Sequence, residues 1–309
     1  MSMNGKRALI LGAGRVVGPY LLRQLHSDGY RSEILSRSRP AWLDDGSSVW
    51  IPFDATRPAV WTAPPGALIV SLLPLWLLPP LLPRLGRAAR LVAFSSSSAL
   101  SYANSSDPDE QTLGARLRHA ELQVIAGAVR AKLPYHILRP TLTYGGGTDS
   151  NLSAVLRFVD EFGFFPIAGA GRGLRQPVHA EDLAIAAIAV TRSRAAEGGV
   201  FELAGGETLR FRLMVQRTIE QSGRQARLVS LPPALLRLGF RLFGGSLREH
   251  YSPGLFARMN QDQAFSIEPA RKAFGYAPRA LNLRPEDFAE RRLVPEQSKP
   301  VVRRLLRQI

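Results

Sequence analysis

Short apolar runs recur along the first half of the chain, and each is followed by a longer segment in which apolar positions return every three or four residues. Ala8 to Leu11, Glu33 to Ser36, Val49 to Phe53, Leu68 to Ser71, Leu91 to Ser95 and His136 to Leu138 read as strands. Gly18 to Ser27, Leu78 to Ala89 and Gln111 to Ala131 read as helices. Strand, helix and strand repeated in this way predict an α/β fold with a doubly wound parallel sheet covered on both faces. The most apolar stretch, Ala67 to Leu82, is shorter than the roughly 20 residues a membrane span needs. Pro74, Pro79 and Pro80 interrupt it, so it reads as a buried strand leading into a helix.

After Tyr144 the pattern changes. Gly145-Gly146-Gly147 makes a flexible break, and the remainder of the chain reads as mostly helical, with short strands near Gln176 to Val178 and Val200 to Leu203. The expected division is a nucleotide domain over residues 1-145 and a smaller, mostly helical C-terminal substrate lobe over 146-309, with 176-203 returning to the first sheet. Ligands of doubly wound sheets bind beyond the carboxyl ends of the strands, where such a lobe would cover them.

Composition removes several function classes. The 309 residues include no cysteine, which excludes disulfides and thiolate chemistry and suits a reducing compartment. The apolar run after Met1 to Arg7 ends at Gly12, too short for the core of an export signal, so a cytoplasmic protein is expected. The net charge is +15, yet only four of the 40 basic residues are lysines and the arginines are spread through every segment. An arginine-biased composition accounts for this as well as nucleic acid does. Gln221 to Arg258 and Arg291 to Arg307 each hold six basic residues against one acid, which leaves room for an anionic partner. The five histidines show no spacing suited to a metal.

The chemistry concentrates in the first βα turn, Leu11-Gly12-Ala13-Gly14-Arg15-Val16-Val17-Gly18. A glycine-rich turn between a buried strand and a helix lets backbone N–H groups approach a pyrophosphate, with the positive end of the helix behind them. Gly12, Gly14 and Gly18 have this placement, spaced G-x-G-x-x-x-G. They imply a doubly wound parallel Rossmann sheet holding a dinucleotide. At the end of the second strand stand Ser36-Arg37-Ser38-Arg39, where an acid would select NAD and an arginine suits the 2′-phosphate of NADP. Arg37 is the candidate ligand, with Arg15 or Arg39 assisting, so NADP is expected before NAD. The competing reading is that these are solvated loop arginines. Asp54 either accepts from the adenine amine or caps a short helix. Val16, Val17, Ser71 and Leu72 complete the expected cofactor contacts.

The chain resembles the extended short-chain dehydrogenase/reductases, also called NAD-dependent epimerase/dehydratases. The landmarks, in order, are Gly12 to Gly18, Asp54, Phe94-Ser95-Ser96-Ser97-Ser98, Glu121, Leu138-Arg139-Pro140-Thr141-Leu142-Thr143-Tyr144-Gly145, Val178-His179-Ala180-Glu181-Asp182-Leu183-Ala184, and Ala270 to Arg279. The resemblance implies an oxidoreductase or epimerase/dehydratase with a serine or threonine after the fifth strand and a Tyr-x-x-x-Lys pair on the next helix. Ser97 fits the serine, with Ser96 and Ser98 as register neighbours, although the run also reads as a polar strand-end loop. The family's glutamate four residues after the lysine aligns with Glu121, which puts Leu117 at the lysine and Leu113 at the tyrosine. Leu113, Leu117, Ala120, Val124 and Ala128 form one apolar stripe. A shift by one residue gives Thr112 and Arg116, which do not restore a proton relay.

Tyr144, Tyr102 and His119 are the titratable candidates for a substitute. His179 and Asp182 are expected to fix a strand-to-helix turn. In the second lobe, Phe162, Phe164 and Phe165 precede a basic glycine loop whose Arg172 and Arg175 either hold an anionic, nucleotide-sugar-like substrate or are simply solvated. Leu231 to Phe243 would pack over the pocket or lie on an anionic membrane surface. The expected partner is a small-molecule substrate, with a homodimer as an option and nucleic acid supported by charge alone. The alternative function is a non-catalytic NADPH-binding regulator or an accessory subunit of a membrane-associated assembly.

Overall fold

A computed structural model describes residues 6–14, 16–43, 48–57, 61–236 and 257–288. In chain order the elements are β1 (Lys6–Leu11), α1 (Gly18–Ser27), β2 (Tyr30–Ser36), β3 (Ser48–Pro52), β4 (Leu68–Ser71), β5 (Arg90–Phe94), α2 (Ser98–Ser101), α3 (Pro108–Arg130), β6 (Tyr135–Pro140) and β7 (Thr143–Tyr144). Then come α4 (Leu152–Phe162), β8 (Phe164–Ala168), β9 (Leu174–Arg175), β10 (Val178–His179), α5 (Ala180–Arg192), β11 (Val200–Leu203), β12 (Leu209–Arg210), α6 (Phe211–Gln221), β13 (Arg227–Leu231) and α7 (Glu268–Phe274). The chain divides into two units. The first comprises Met1–Thr143, Val178–Gly206 and Phe265–Ala280, and the second comprises Tyr144–Pro177, Glu207–Ala264 and Leu281–Ile309.

The first unit is built on a seven-stranded sheet in the order β11-β6-β5-β4-β1-β2-β3, with every pair parallel. Successive side chains of a strand point to opposite faces. Ala8 and Ile10 accordingly join a core with Leu21 and Leu25 of α1 and Leu183 and Ala187 of α5. Leu9 and Leu11 join a second core with Leu117, Val124 and Ala128 of α3. Both faces are therefore apolar, which is why the strands read as continuous hydrophobic runs, and each fully buried leucine contributes about 1.5–3 kcal/mol. Because β1 has β2 on one side and β4 on the other, the strand order reverses at β1, the usual position of a ligand crevice.

The structure differs from the sequence expectations in particular places. The helix expected over Leu78 to Ala89 is two 3₁₀ segments, Leu75–Leu77 and Pro79–Arg84. Pro79, Pro80 and Pro83 remove amide donors there and allow only short turns. The helix expected from Gln111 begins earlier, at Pro108, where Asp107 caps it by accepting from the Asp109 amide at 3.0 Å. Leu113 is 37% exposed whereas Leu117 is 6% exposed, so the apolar stripe is buried only from Leu117 onward.

The return to the first unit extends to Gly206, and α7 joins it as well, through Ala270. β11 extends the large sheet beside β6. The second unit holds more strand than its pattern suggested: β8 and β13 form a parallel pair, and β9 and β12 an antiparallel one. Of the segment Leu231 to Phe243, residues 237–243 lie outside the described residues. Among the described residues no helix is long and apolar enough to cross a membrane.

Candidate functional site

The carboxyl ends of β1, β2, β4 and β5 carry the glycine turn, Arg37, Ser71 and the serine run along one edge of the sheet. Gly12 has φ +87°, a region open to glycine at little cost. A Cβ there would stand 3.1 Å from the Leu73 amide nitrogen, and one on Gly14 would stand 3.0 Å from the Leu72 side chain. Backbone bonds lock the turn on both sides: Gly12 N–H donates to Leu35 O at 2.8 Å and Leu72 N–H to Leu11 O at 2.8 Å. The first turn of α1 holds no acidic residue and no capping side chain, and Pro19 stands at its start. With no acid in its first turn, this end of the helix keeps a positive potential. Side-chain-free backbone beside an uncapped helix start fits the pyrophosphate of a dinucleotide.

At the end of β2, Ser36 Oγ donates to Ser38 O at 2.8 Å and accepts from Trp50 Nε1 at 3.1 Å, so this hydroxyl holds the turn that carries Arg37. Arg37 is exposed, and its charge reaches Asp54. The Asp54 carboxyl lies below its ordinary pKa, first because Thr56 donates to it through Oγ1 and N–H, at 2.7 and 2.9 Å, and then because of Arg37. Asp54 thus caps a turn of its own, where the sequence had offered a short helix. Ser71 is fully buried, and its Oγ meets no hydrogen-bond partner among the described residues. Val16 and Val17 pack on the core beside α1, while Arg15 lies outside the described residues and Arg39 is exposed.

The serine run is anchored from behind. Ser95 Oγ donates to Glu121 Oε1 at 2.5 Å, Arg139 Nε donates to the same oxygen at 2.8 Å, and Arg139 Nη1 donates to Glu202 Oε1 at 2.9 Å. The two carboxylates raise the pKa of Arg139, and burial raises that of Glu202. Ser97 N–H donates to Pro140 O at 3.0 Å, and Ser97 stands at the N-cap of α2. Ser96 and Ser98 bond to each other at 3.1 Å. The sequence had shown Glu121 and Arg139 only as landmarks. Their joint role, with Glu202, emerges where α3, β6 and β11 meet.

Leu113 and Leu117, the positions that the resemblance would give to the catalytic pair, are differently placed. Leu117 is buried in the core, and Leu113 is partly exposed. Between them Gly114 lets α3 approach α2, since a Cβ there would stand 3.0 Å from Tyr102 Cβ. Arg118 donates to Ala99 O at 2.6 Å, and Arg116 stacks 4.0 Å from the Trp76 ring. His119 is exposed and Tyr144 fully buried. His179 Nδ1 accepts from the Glu181 amide at 3.1 Å and caps α5, while Asp182 receives the Arg279 amide and Nε at 2.9 and 2.8 Å.

In the second unit Arg175 is not placed to hold a substrate. It is buried, its guanidinium donates to the carbonyls of Leu174, Arg258 and Gln261 at 2.6 to 2.8 Å, and it lies over the Phe211 ring. These carbonyls take three of its five N–H donors in a buried site, so Arg175 has a structural place here and is neither the solvated loop arginine nor the open anion ligand that the sequence offered. Arg172 is exposed, with its backbone amide 3.3 Å from Asn260 Oδ1. The expected aromatic wall is a cluster around Phe158, which faces Phe162, Phe164 and Phe165 at centroid distances of 4.5 to 5.8 Å. An open cavity of about 830 Å³ is lined by Arg212, Gln216, Glu220, Arg224 and Arg227, among others. Arg224 pairs with Asp160, Arg212 donates to Ser230 Oγ at 2.8 Å and Gln216 donates to Glu220 at 2.8 Å. Among the described residues no group of His, Asp and Glu is placed to hold a metal.

No family model matches the chain. It is 26% identical over 197 residues to the uncharacterized protein y4nG of Sinorhizobium fredii, a match covering 61% of this chain and about half (49%) of that relative. Solved structures align over nearly the whole length. UDP-glucuronic acid 4-epimerase from Bacillus cereus, in complex with NAD, is 15% identical with a TM-score of 0.66, covering 97% of this chain and 99% of that one. MoeE5, in complex with UDP-glucose and NAD, is 20% identical with a TM-score of 0.66 and coverage of 92% and 97%. WbmF of Bordetella bronchiseptica, in complex with NADH, is 15% identical with a TM-score of 0.66 and coverage of 98% and 95%. The chain therefore has the fold of the NAD-dependent epimerases and dehydratases.

Proposed function

We propose that the chain is an NADP-binding member of the extended short-chain dehydrogenase/reductases, an epimerase/dehydratase or oxidoreductase that acts in the cytoplasm on a nucleotide-sugar-like or other anionic substrate. The observation that carries this reading is the cradle at Gly12 and Gly14, closed against Leu72 and Leu73 and set before an uncapped helix start at the strand-order reversal. Gly12, Gly14, Val16 and Val17 would lie along the pyrophosphate, with Gly18 closing the turn behind them through its N–H bond to Gly14 O, and Arg37 would hold a 2′-phosphate through its planar fork. The nicotinamide would supply hydride transfer. Ser97, which precedes α2, would hydrogen-bond a substrate oxygen through its hydroxyl.

The proton handler differs from the family's, because leucines occupy both positions of the usual pair. This feature also favours a second reading, a protein that binds NADPH without reacting it. Titrating the purified chain with NADPH and NADH tests cofactor choice. Arg37→Asp is expected to weaken NADPH binding at least tenfold and NADH binding little, and an unchanged NADPH affinity would remove the 2′-phosphate assignment. Turnover of bound NADPH with any UDP-sugar supports the enzyme. Tight NADPH binding with no turnover and no isotope exchange across a substrate panel supports the second reading.

A further inference from the structure

The third glycine of the turn is filled by an aromatic ring from elsewhere in the chain. Trp42 stands on the loop after β2, three residues beyond Arg39 and five beyond Arg37. A Cβ on Gly18 would lie 2.7 Å from a Trp42 ring carbon, so the ring rests directly on the first residue of α1. Trp42 Nε1 donates to Ala13 O at 3.3 Å, in the middle of the glycine turn. The ring packs on the same core as Val16 and Val17. The rest of the loop is tied down by the Ser36 Oγ bond to Ser38 O and the Leu43 N–H bond to Pro40 O. In a trans peptide the C=O and the following N–H point in opposite directions. Holding Ala13 C=O toward Trp42 therefore aims Gly14 N–H away from the tryptophan, and this donor meets no partner among the described residues.

We propose that Trp42 is a positioning residue for the dinucleotide, clamping the loop that carries Arg37 onto the glycine turn so that the pyrophosphate and the 2′ end of the adenosine are gripped by one rigid unit. The proposal rests on the dinucleotide reading above. It separates two contributions of Trp42. The Nε1 bond orients the turn and so serves any dinucleotide, while the ring holds the Arg37 loop and so serves NADPH more than NADH.

The test is isothermal titration of NADPH and NADH into the full chain and its Trp42→Phe, Trp42→Ala, Arg37→Ala and Trp42→Ala/Arg37→Ala variants, with thermal unfolding to verify the fold. Trp42→Phe keeps a ring but loses the donor, and is expected to weaken both cofactors by about 3- to 10-fold, the range of one net hydrogen bond. Trp42→Ala is expected to weaken NADPH further than NADH, lowering the preference ratio. Arg37→Ala is then expected to cost less NADPH affinity in the Trp42→Ala background than in the wild type. Wild-type affinities in both Trp42 variants, or an undiminished Arg37→Ala effect in the double variant, would overturn the proposal while leaving the dinucleotide reading intact. Absence of binding of either cofactor to the wild-type chain would instead overturn the dinucleotide reading and this proposal with it.

Discussion

Glu121 grips Arg139 with both carboxylate oxygens, one of which also receives the hydroxyl of Ser95, so the serine run at the end of β5 is tied to a buried ion pair between α3 and β6. Arg139 in turn reaches Glu202 on β11. Removing one partner of a buried pair leaves the other charge uncompensated, which costs about 3–5 kcal/mol. Glu121→Ala is expected to destabilise the chain by this amount and Glu121→Gln by less, measured by urea denaturation. An Ala variant within about 1 kcal/mol of wild type would show that the pair contributes nothing net.

His136, on β6, is fully buried, with Nδ1 2.9 Å from Ala196 O and Nε2 3.1 Å from Arg90 Nη1. Burial first, and then the Arg90 charge, hold its pKa down to about 4. The neutral ring donates from Nδ1 and accepts at Nε2. Because the folded pKa lies below the unfolded value of about 6.5, the unfolded chain binds the proton first and stability falls as pH drops from about 6.5 to 4. The full loss is up to about 3 kcal/mol. Urea midpoints of wild type and His136→Gln across this window check it, and the variant is expected to show a flatter profile.

Leu113 and Leu117 stand one turn apart on α3 yet differ in burial. Leu117→Ala opens a cavity in a packed core and is expected to cost about 2–5 kcal/mol. Leu113→Ala, at a partly exposed site, is expected to cost under about 1 kcal/mol. Equal losses in chemical denaturation would contradict the register of α3.

Arg175→Ala is expected to destabilise the second unit by about 3 kcal/mol, because it orphans the carbonyls of Leu174, Arg258 and Gln261. Arg175→Lys restores a charge but not the fork, and is expected to recover only part of the loss. Protection of these segments in hydrogen exchange reads the effect directly. A variant of wild-type stability would make Arg175 a candidate substrate ligand again.

The sequence alone determined the parallel sheet, the glycine turn before α1 and a strand over Val200 to Leu203, whose place beside β6 came from the fold. Each depends on neighbours along the chain, through buried strands that read as apolar runs and turns that need glycine. The long α3 was legible too, whereas the segment after β4 was not, because three prolines replaced its helix with 3₁₀ turns. Tertiary structure decided the rest. Arg175 looked free to bind an anion until carbonyls 83 and 86 residues away took its donors. Glu202, 63 residues from Arg139, turned two landmarks into a network. Trp42 came to rest on the glycine turn from 29 residues away. A side chain's donors and buried face are claimed by whatever the fold brings against them, and spacing along the chain carries no record of that meeting.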